Sequence, residues 1–319
     1  MTLAEDLVAG DRRALARAIT LVESTRADHR SDAATLLDEV LPRTGRSTRI
    51  GISGAPGAGK STFIEAFGSQ LVEDGHHVAV LAVDPSSSRS GGSILGDKTR
   101  MEKLARLDNA YIRPSPSGGA VGGVARRTRE AVLVCEAAGF DTVLVETVGV
   151  GQSETEVENM VDTFVLLVVP GGGDELQGIK RGVMELADLV VVTKADGALL
   201  PLAQHAAADY RNALHLLRRK NDAWEPAVLL CSALTGEGVA DVVTAVARHR
   251  EALTTSGALE KRRSEQARSW LWSEIDDTIV ARFRDDPSVA ALVPDVERRV
   301  TTGEISPTTG ALELLAAHE

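Results

Sequence analysis

Between about residues 47 and 250 the chain alternates short, nearly continuous apolar runs with stretches whose apolar residues recur every three or four positions. The runs at 49–53, 78–84, 111–113, 142–147, 164–169, 189–193 and 227–231 predict strands. Several are unbroken Val/Leu segments, as in strands buried on both faces of a parallel sheet. Helical spacing fills the intervals. The expected fold class is α/β, a doubly wound, mainly parallel sheet that places ligands at the carboxyl ends of its strands.

The ends of the chain read differently. Leu7, Val8, Leu15, Ile19, Val22, Leu36, Leu37, Val40 and Leu41 recur at helical spacing, with a break expected near Asp28-His29-Arg30-Ser31-Asp32. Beyond residue 257, Leu259, Trp270, Leu271, Ile275, Ile279 and Phe283 form an apolar stripe in a charged helix. Such a stripe serves either core packing or an oligomerisation arm. The domain organisation expected is a helical N-terminal extension at 1–46, the α/β domain at 47–255 and a helical C-terminal arm at 256–319.

Composition narrows the partners. The 319 residues are 43% hydrophobic and 25% charged, with net charge −11. Arg126-Arg127 and Lys261-Arg262-Arg263 are short and interleaved with acids, so nucleic acid is not expected as a partner. No apolar run approaches the roughly 20 residues that span a bilayer, and the acidic start lacks a signal-peptide core, so neither membrane nor export is expected. The two cysteines, Cys135 and Cys231, lie in apolar runs and read as buried thiols in a reducing, cytoplasmic compartment.

The chemistry sits at the strand ends. Gly54-Ala55-Pro56-Gly57-Ala58-Gly59-Lys60-Ser61 is a complete GxxxxGK[ST] loop between a predicted strand and a predicted helix that opens at Thr62. Its glycines let backbone N–H groups curl around phosphate oxygens, Lys60 reaches the β and γ phosphates, and Ser61 can ligate Mg²⁺. Asp84 closes the second strand ahead of a polar, Gly-rich loop; it either helps to bind the metal or simply turns the chain with Pro85. Glu146-Thr147-Val148-Gly149 ends the fourth strand at the place of a DxxG element, with Glu146 for the metal's water and the Gly149 N–H for the γ-phosphate. Thr193-Lys194-Ala195-Asp196 matches [NT]KxD: Asp196 accepts from guanine N1–H and the 2-amino group, which adenine cannot offer. The Lys194 stem can lie over the base. Ser232-Ala233-Leu234 follows the seventh strand as the loop that backs the guanine O6. Five elements in order, each at a strand end, point to a Mg²⁺-dependent GTPase that binds GTP and GDP.

Together with Val83-Asp84-Pro85-Ser86-Ser87, Gly96-Asp97-Lys98-Thr99-Arg100-Met101 and Val145-Glu146-Thr147-Val148-Gly149-Val150-Gly151-Gln152-Ser153-Glu154, the phosphate loop resembles the MeaB/ArgK/MMAA family of G-protein chaperones. The resemblance covers the whole nucleotide-binding domain. It implies that Asp84, Asp97 and Glu146 surround Mg²⁺ and the γ-phosphate, and that the loop from Gly171 to Lys180 relays the nucleotide state, with Lys180 as its residue to test. It further implies a client, the adenosylcobalamin-dependent methylmalonyl-CoA mutase, and a homodimer formed through the C-terminal arm. Thr193 stands where this family usually has Asn. No clear general base or arginine finger is visible, so hydrolysis is expected to be slow without a partner; Arg89 reads as a finger or as a solvated side chain. Nickel-insertion GTPases and transport-system kinases are the alternative readings.

Overall fold

The computed structural model describes residues 2–24, 26–83, 101–113, 121–147, 153–171, 181–217 and 220–318. Among these, seven strands form one sheet: β1 (Thr48–Gly54), β2 (Val78–Val83), β3 (Ala110–Arg113), β4 (Thr142–Thr147), β5 (Thr163–Val168), β6 (Leu189–Val192) and β7 (Ala227–Leu230). Their order is β3-β2-β4-β1-β5-β6-β7, and every neighbouring pair is parallel. All seven coincide with the predicted runs to within a residue or so. β1 lies at the centre between β4 and β5, where the strand order switches direction, the usual ligand position in open α/β sheets.

The helices are α1 (Leu3–Val8), α2 (Arg12–Val22), α3 (Ala27–Val40), α4 (Lys60–Glu73), α5 (Glu102–Ala105), α6 (Val121–Ala137), α7 (Ser153–Glu158), α8 (Arg181–Leu186), α9 (Leu200–His215), α10 (Val239–Thr255), α11 (Ala258–Asp285), α12 (Pro287–Thr301) and α13 (Pro307–Ala316). Side chains alternate across the pleat into two cores. Ile50, Ile52, Val80, Leu144, Val165 and Val191 pack with Phe63, Ile64, Phe67 and Leu71 of α4, Leu104 of α5 and Val242 and Val246 of α10. Leu81, Val143, Val145, Phe164, Leu166 and Val190 face the other way, toward α1–α3 and α6–α9. Each fully buried Leu, Ile or Phe contributes about 1.5–3 kcal/mol, so the apolar runs read in the sequence are what holds the sheet between its layers.

The N-terminal helices belong to this second core through Leu7, Leu15, Ile19, Val22, Leu36 and Val40. The break expected at Asp28–Asp32 is not there. Those residues open α3, with Asp28 in its first turn, where a carboxylate meets the positive end of the helix dipole. The chain instead turns at Gly10, whose φ of +82° suits a residue without Cβ, and again between α2 and α3. A capping box at Thr2 and Glu5 starts α1, and the Asp11 side chain caps α2.

Two compact units emerge, Met1–Gln266 and Ala267–Glu319, with α11 running through the division. In the second, α12 and α13 pack closely at Gly310, where a Cβ would lie 2.9 Å from both Val296 Cγ1 and Val300 Cγ2. Leu259 of the predicted stripe is buried in the first unit, whereas Leu271 and Ile279, with Trp272 beside them, are nearly 60% exposed. No helix of the described residues is long and apolar enough to cross a membrane.

Candidate nucleotide site

β1 ends at Gly54 because nothing larger fits: a Cβ there would sit 2.5 Å from the Leu167 carbonyl oxygen of β5. The chain then curls through Gly57 and Gly59, at φ +81° and +85°, and enters α4 with Gly59 as its N-cap. Pro56 and Ala58 complete the curl, with the Ala58 N–H bonded back to the Ala55 carbonyl at 3.0 Å. The loop thus faces the unsatisfied first-turn amides of α4, an anion-binding arrangement. Thr62 lies exposed one step further along α4.

Lys60 is buried, and its Nζ donates to the carbonyls of Gly54 (2.7 Å) and Ala55 (3.3 Å). Burial holds its pKa below the ordinary lysine range, while the carboxylates of Glu146 and Glu154 work to keep it charged. Glu146, at the end of β4, is itself buried and accepts from Ser61 Oγ at 3.3 Å. Thr147 Oγ1 donates to Ser53 Oγ at 2.8 Å and ties β4 to β1 just below. Residues 85 apart in sequence thereby present two hard oxygens beside one ammonium. That donor set suits Mg²⁺, which takes one or two protein oxygens and completes its shell with water and phosphate.

The second half of the site lies at the ends of β6 and β7. Buried Thr193 donates through Oγ1 to the Ala58 carbonyl at 2.8 Å and lies 3.1 Å from the Val168 carbonyl. Lys194 is the one non-glycine residue with positive φ, +55°, among the described residues, and it is exposed. The Ala195 N–H bonds the Cys231 carbonyl at 3.2 Å, joining the two loops. Ser232 Oγ donates to Asp196 Oδ2 and accepts from the Thr235 N–H at 3.2 Å. Ala233 follows, and Leu234 is 84% exposed at the loop's rim. A carboxylate oriented by a hydroxyl at a strand end can accept a paired N–H donor set.

Of the residues singled out in the sequence, Asp84, Arg89, Asp97, Gly149 and Lys180, with the rest of 172–180, lie outside the described residues. The remaining phosphate-loop, metal and base residues fall into the two halves just described. Three residues are given no role of their own by the sequence. Glu154 is 2% exposed, and its charge bears on Lys60. A Cβ on Gly238, the N-cap of α10 at φ +78°, would lie 2.2 Å from the Leu230 carbonyl oxygen, so only glycine lets the Ser232 loop close on β7. Gly51 lets α7 approach β1, as described below. Glu154 and Gly51 depend on neighbours distant in sequence, and Gly238 on the backbone of the strand before its loop, none of which a local pattern reveals.

A parallel sheet with a phosphate-type loop after its central strand β1 and a [NT]KxD segment at the end of β6 defines a P-loop GTPase. A family model, "Methylmalonyl Co-A mutase-associated GTPase MeaB", matches residues 15–288. A Caulobacter vibrioides protein is 61% identical over 316 residues, covering 99% of this chain and 97% of its own length. The Mus musculus protein named methylmalonic aciduria type A homolog, mitochondrial, is 50% identical over 321 residues, covering 98% and 77%. A crystal structure titled LAO/AO transport system kinase superposes with a TM-score of 0.76 at 42% identity, covering 98% of this chain and 95% of that one. The chain belongs to the MeaB family of GTPases, and its activity is the hydrolysis of GTP.

Proposed function

We propose that this GTPase times the loading and protection of cobalamin on an adenosylcobalamin-dependent methylmalonyl-CoA mutase. The phosphates of GTP or GDP lie in the loop from Gly54 to Thr62, with Lys60 between the β and γ groups. Ser61 and Glu146 hold Mg²⁺, directly or through water, aided by Asp84 and Asp97. When bound, the ion screens charge that develops on the γ-phosphate. Asp196 reads guanine, Lys194 covers the base, and the Ser232-Ala233-Leu234 loop backs O6. The Gly149 N–H meets the γ-phosphate, and Lys180 with its loop reports the phosphate's loss to the mutase.

The observation that carries the nucleotide reading is the meeting of Lys60, Ser61 Oγ and Glu146 Oε1 at the central strand's end. The client rests on the name of the matching family and on that of the mouse relative. The exposed Leu271, Trp272 and Ile279 support a homodimer through the C-terminal arm. Two free, buried thiols suit a reducing, cytoplasmic setting.

The test is GTP hydrolysis with and without methylmalonyl-CoA mutase and adenosylcobalamin. Slow turnover alone and strong stimulation by the mutase support the reading. No stimulation, with no retention of the mutase on immobilised protein in either nucleotide state, removes the client and leaves the GTPase. Undiminished single-turnover hydrolysis after Lys60→Ala would overturn the assignment of the phosphate site.

A further inference from the structure

Helix α7 is short, and its two ends meet different parts of the molecule. At its start, buried Glu154 lies near enough to Lys60 for its charge to act on the ammonium. At its end, Glu158 Oε1 accepts from Arg262 Nη2 at 2.8 Å and from Lys220 Nζ at 3.1 Å. Just past the helix, Asp162 takes two nitrogens of Arg263, Nε at 2.8 Å and Nη2 at 2.7 Å. Gln266 Nε2 donates to the carbonyls of Val161 (2.8 Å) and Glu158 (3.3 Å). Arg262, Arg263 and Gln266 all belong to the first turns of α11.

Between these ends α7 has no room to shift toward the sheet. A Cβ on Gly51 of β1 would lie 2.9 Å from Val157 Cγ1 and 3.0 Å from Val161 Cγ2. α7 packs as well on β4, the strand that carries Glu146 next to its last residue, and on α8. Its placement along the sheet is therefore set by what holds its ends, and the far end is held by α11.

We propose that Arg262, assisted by Gln266, is a positioning residue for GTP hydrolysis. The root of α11 holds α7 by Glu158, and α7 in turn fixes Glu154 and the end of β4 against Lys60 and the γ-phosphate. Ground-state binding rests on other parts, the loop after β1 and the Asp196–Ser232 pair, which Arg262 does not touch. Arg262 also reaches Asp188 Oδ2 at 3.4 Å, but Asp188 precedes β6, at the opposite end of that strand from Thr193. Transition-state placement is far more sensitive to small displacement than binding is, with about 1 Å costing roughly 100-fold. The role does not depend on any client protein.

The experiment compares Arg262→Ala, Arg262→Lys and Gln266→Ala with the parent full-length chain. It measures single-turnover hydrolysis at saturating GTP, KM, the Kd of fluorescent GDP and the melting temperature. Arg262→Ala is expected to lower the rate by about tenfold or more while the GDP Kd stays within about twofold. Arg262→Lys, which keeps a donor and a charge toward Glu158, recovers most of the rate, and Gln266→Ala shifts it in the same direction by less. A parental rate in folded Arg262→Ala overturns the proposal. So does a proportional loss of rate and GDP affinity, the mark of a merely structural role. Should Arg262→Ala fail to fold, Gln266→Ala decides alone, because it alters no charge: an unchanged rate there overturns the proposal.

Discussion

The Thr193 hydroxyl donates to the Ala58 carbonyl at 2.8 Å, bridging the end of β6 to the middle of the loop that follows β1. One side chain thus joins the segment suited to a base to the segment suited to phosphates. The [NT]KxD pattern admits Asn or Thr at this position, and the observed bond shows what threonine supplies: a donor aimed at the loop backbone.

Thr193→Val keeps the shape and removes the donor, leaving a buried carbonyl with one partner fewer. A bond of this kind contributes about 1 kcal/mol. We expect GDP and GTP affinity to fall together, by about fivefold to tenfold, with the preference for guanine over adenine unchanged. Thr193→Asn should restore affinity through its amide. Titration with fluorescent GDP, GTP analogue and ATP measures all three; a change in base preference in Thr193→Val would contradict the bridging role.

The close approaches at Gly54 and Gly238 predict a stability effect at one end of the sheet. A Cβ at Gly54 would meet the Leu167 carbonyl oxygen at 2.5 Å, and at Gly238 the Leu230 carbonyl oxygen at 2.2 Å. Both obstacles are backbone, so the strands themselves must move. Gly54→Ala and Gly238→Ala should each destabilise by about 1–3 kcal/mol or more, as overpacking does. Gly182→Ala, where a Cβ meets nothing within 4 Å, is the control. Urea unfolding curves give the comparison, and equal midpoints for all three variants would refute the steric argument.

These examples mark what a single sequence reveals and what it hides. The strands were legible because residues such as Val143-Leu144-Val145 are buried on both faces, so apolarity is continuous and needs no partner to be recognised. The two halves of the site were legible because phosphate and base segments have local signatures at strand ends. Asp28–Asp32 misled because a polar run marks a loop and a solvated first helical turn equally well. Glu154, Gly51 and Gly238 were illegible because their meaning lies in Lys60, Val157 and Leu230. The same holds for Arg262, which reaches Glu158 across 104 positions of sequence.

At the base-side carboxylate the expected result is a change of ligand. Ser232 Oγ holds Asp196 Oδ2, which leaves the carboxylate oriented for a pair of donors. Hydrogen bonds to a charged group contribute about 1.5–3 kcal/mol each. Asp196→Asn should therefore weaken GTP binding by roughly a hundredfold or more. Its amide N–H would face the 2-oxo group of xanthine, so XTP should bind better to the variant than GTP does. Competition of GTP, XTP and ATP against a fluorescent nucleotide decides it, and unaltered GTP affinity would remove Asp196 from the base site.

Acid stability should report His249. The side chain is fully buried in α10, with Nδ1 2.8 Å from Thr163 Oγ1 and the Trp224 ring edge-on at 5.0 Å. Burial pushes its pKa down to about 4; Asp188 and Asp162 pull upward, and Arg262 and Lys220 add to the depression. An unfolded histidine titrates near 6.5, so between about 6.5 and 4 the unfolded chain binds the extra proton. The stabilisation from keeping His249 neutral is then complete above pH 6.5 and is lost as pH falls toward 4. Glu136 acts in the same direction lower down. Burial works to raise its pKa, but Arg49 and the Gly45 N–H and Ser47 hydroxyl hold it below the ordinary range. Its contribution is present above the unfolded carboxylate value and is lost on further acidification. Melting temperature should accordingly fall from pH 7 to pH 5 in the parent chain and fall less steeply in His249→Gln. Equal slopes over that interval would show that His249 does not carry the acid sensitivity, whereas a difference confined to pH 7 to 5, with the two chains converging in slope above it, would assign that sensitivity to this imidazole.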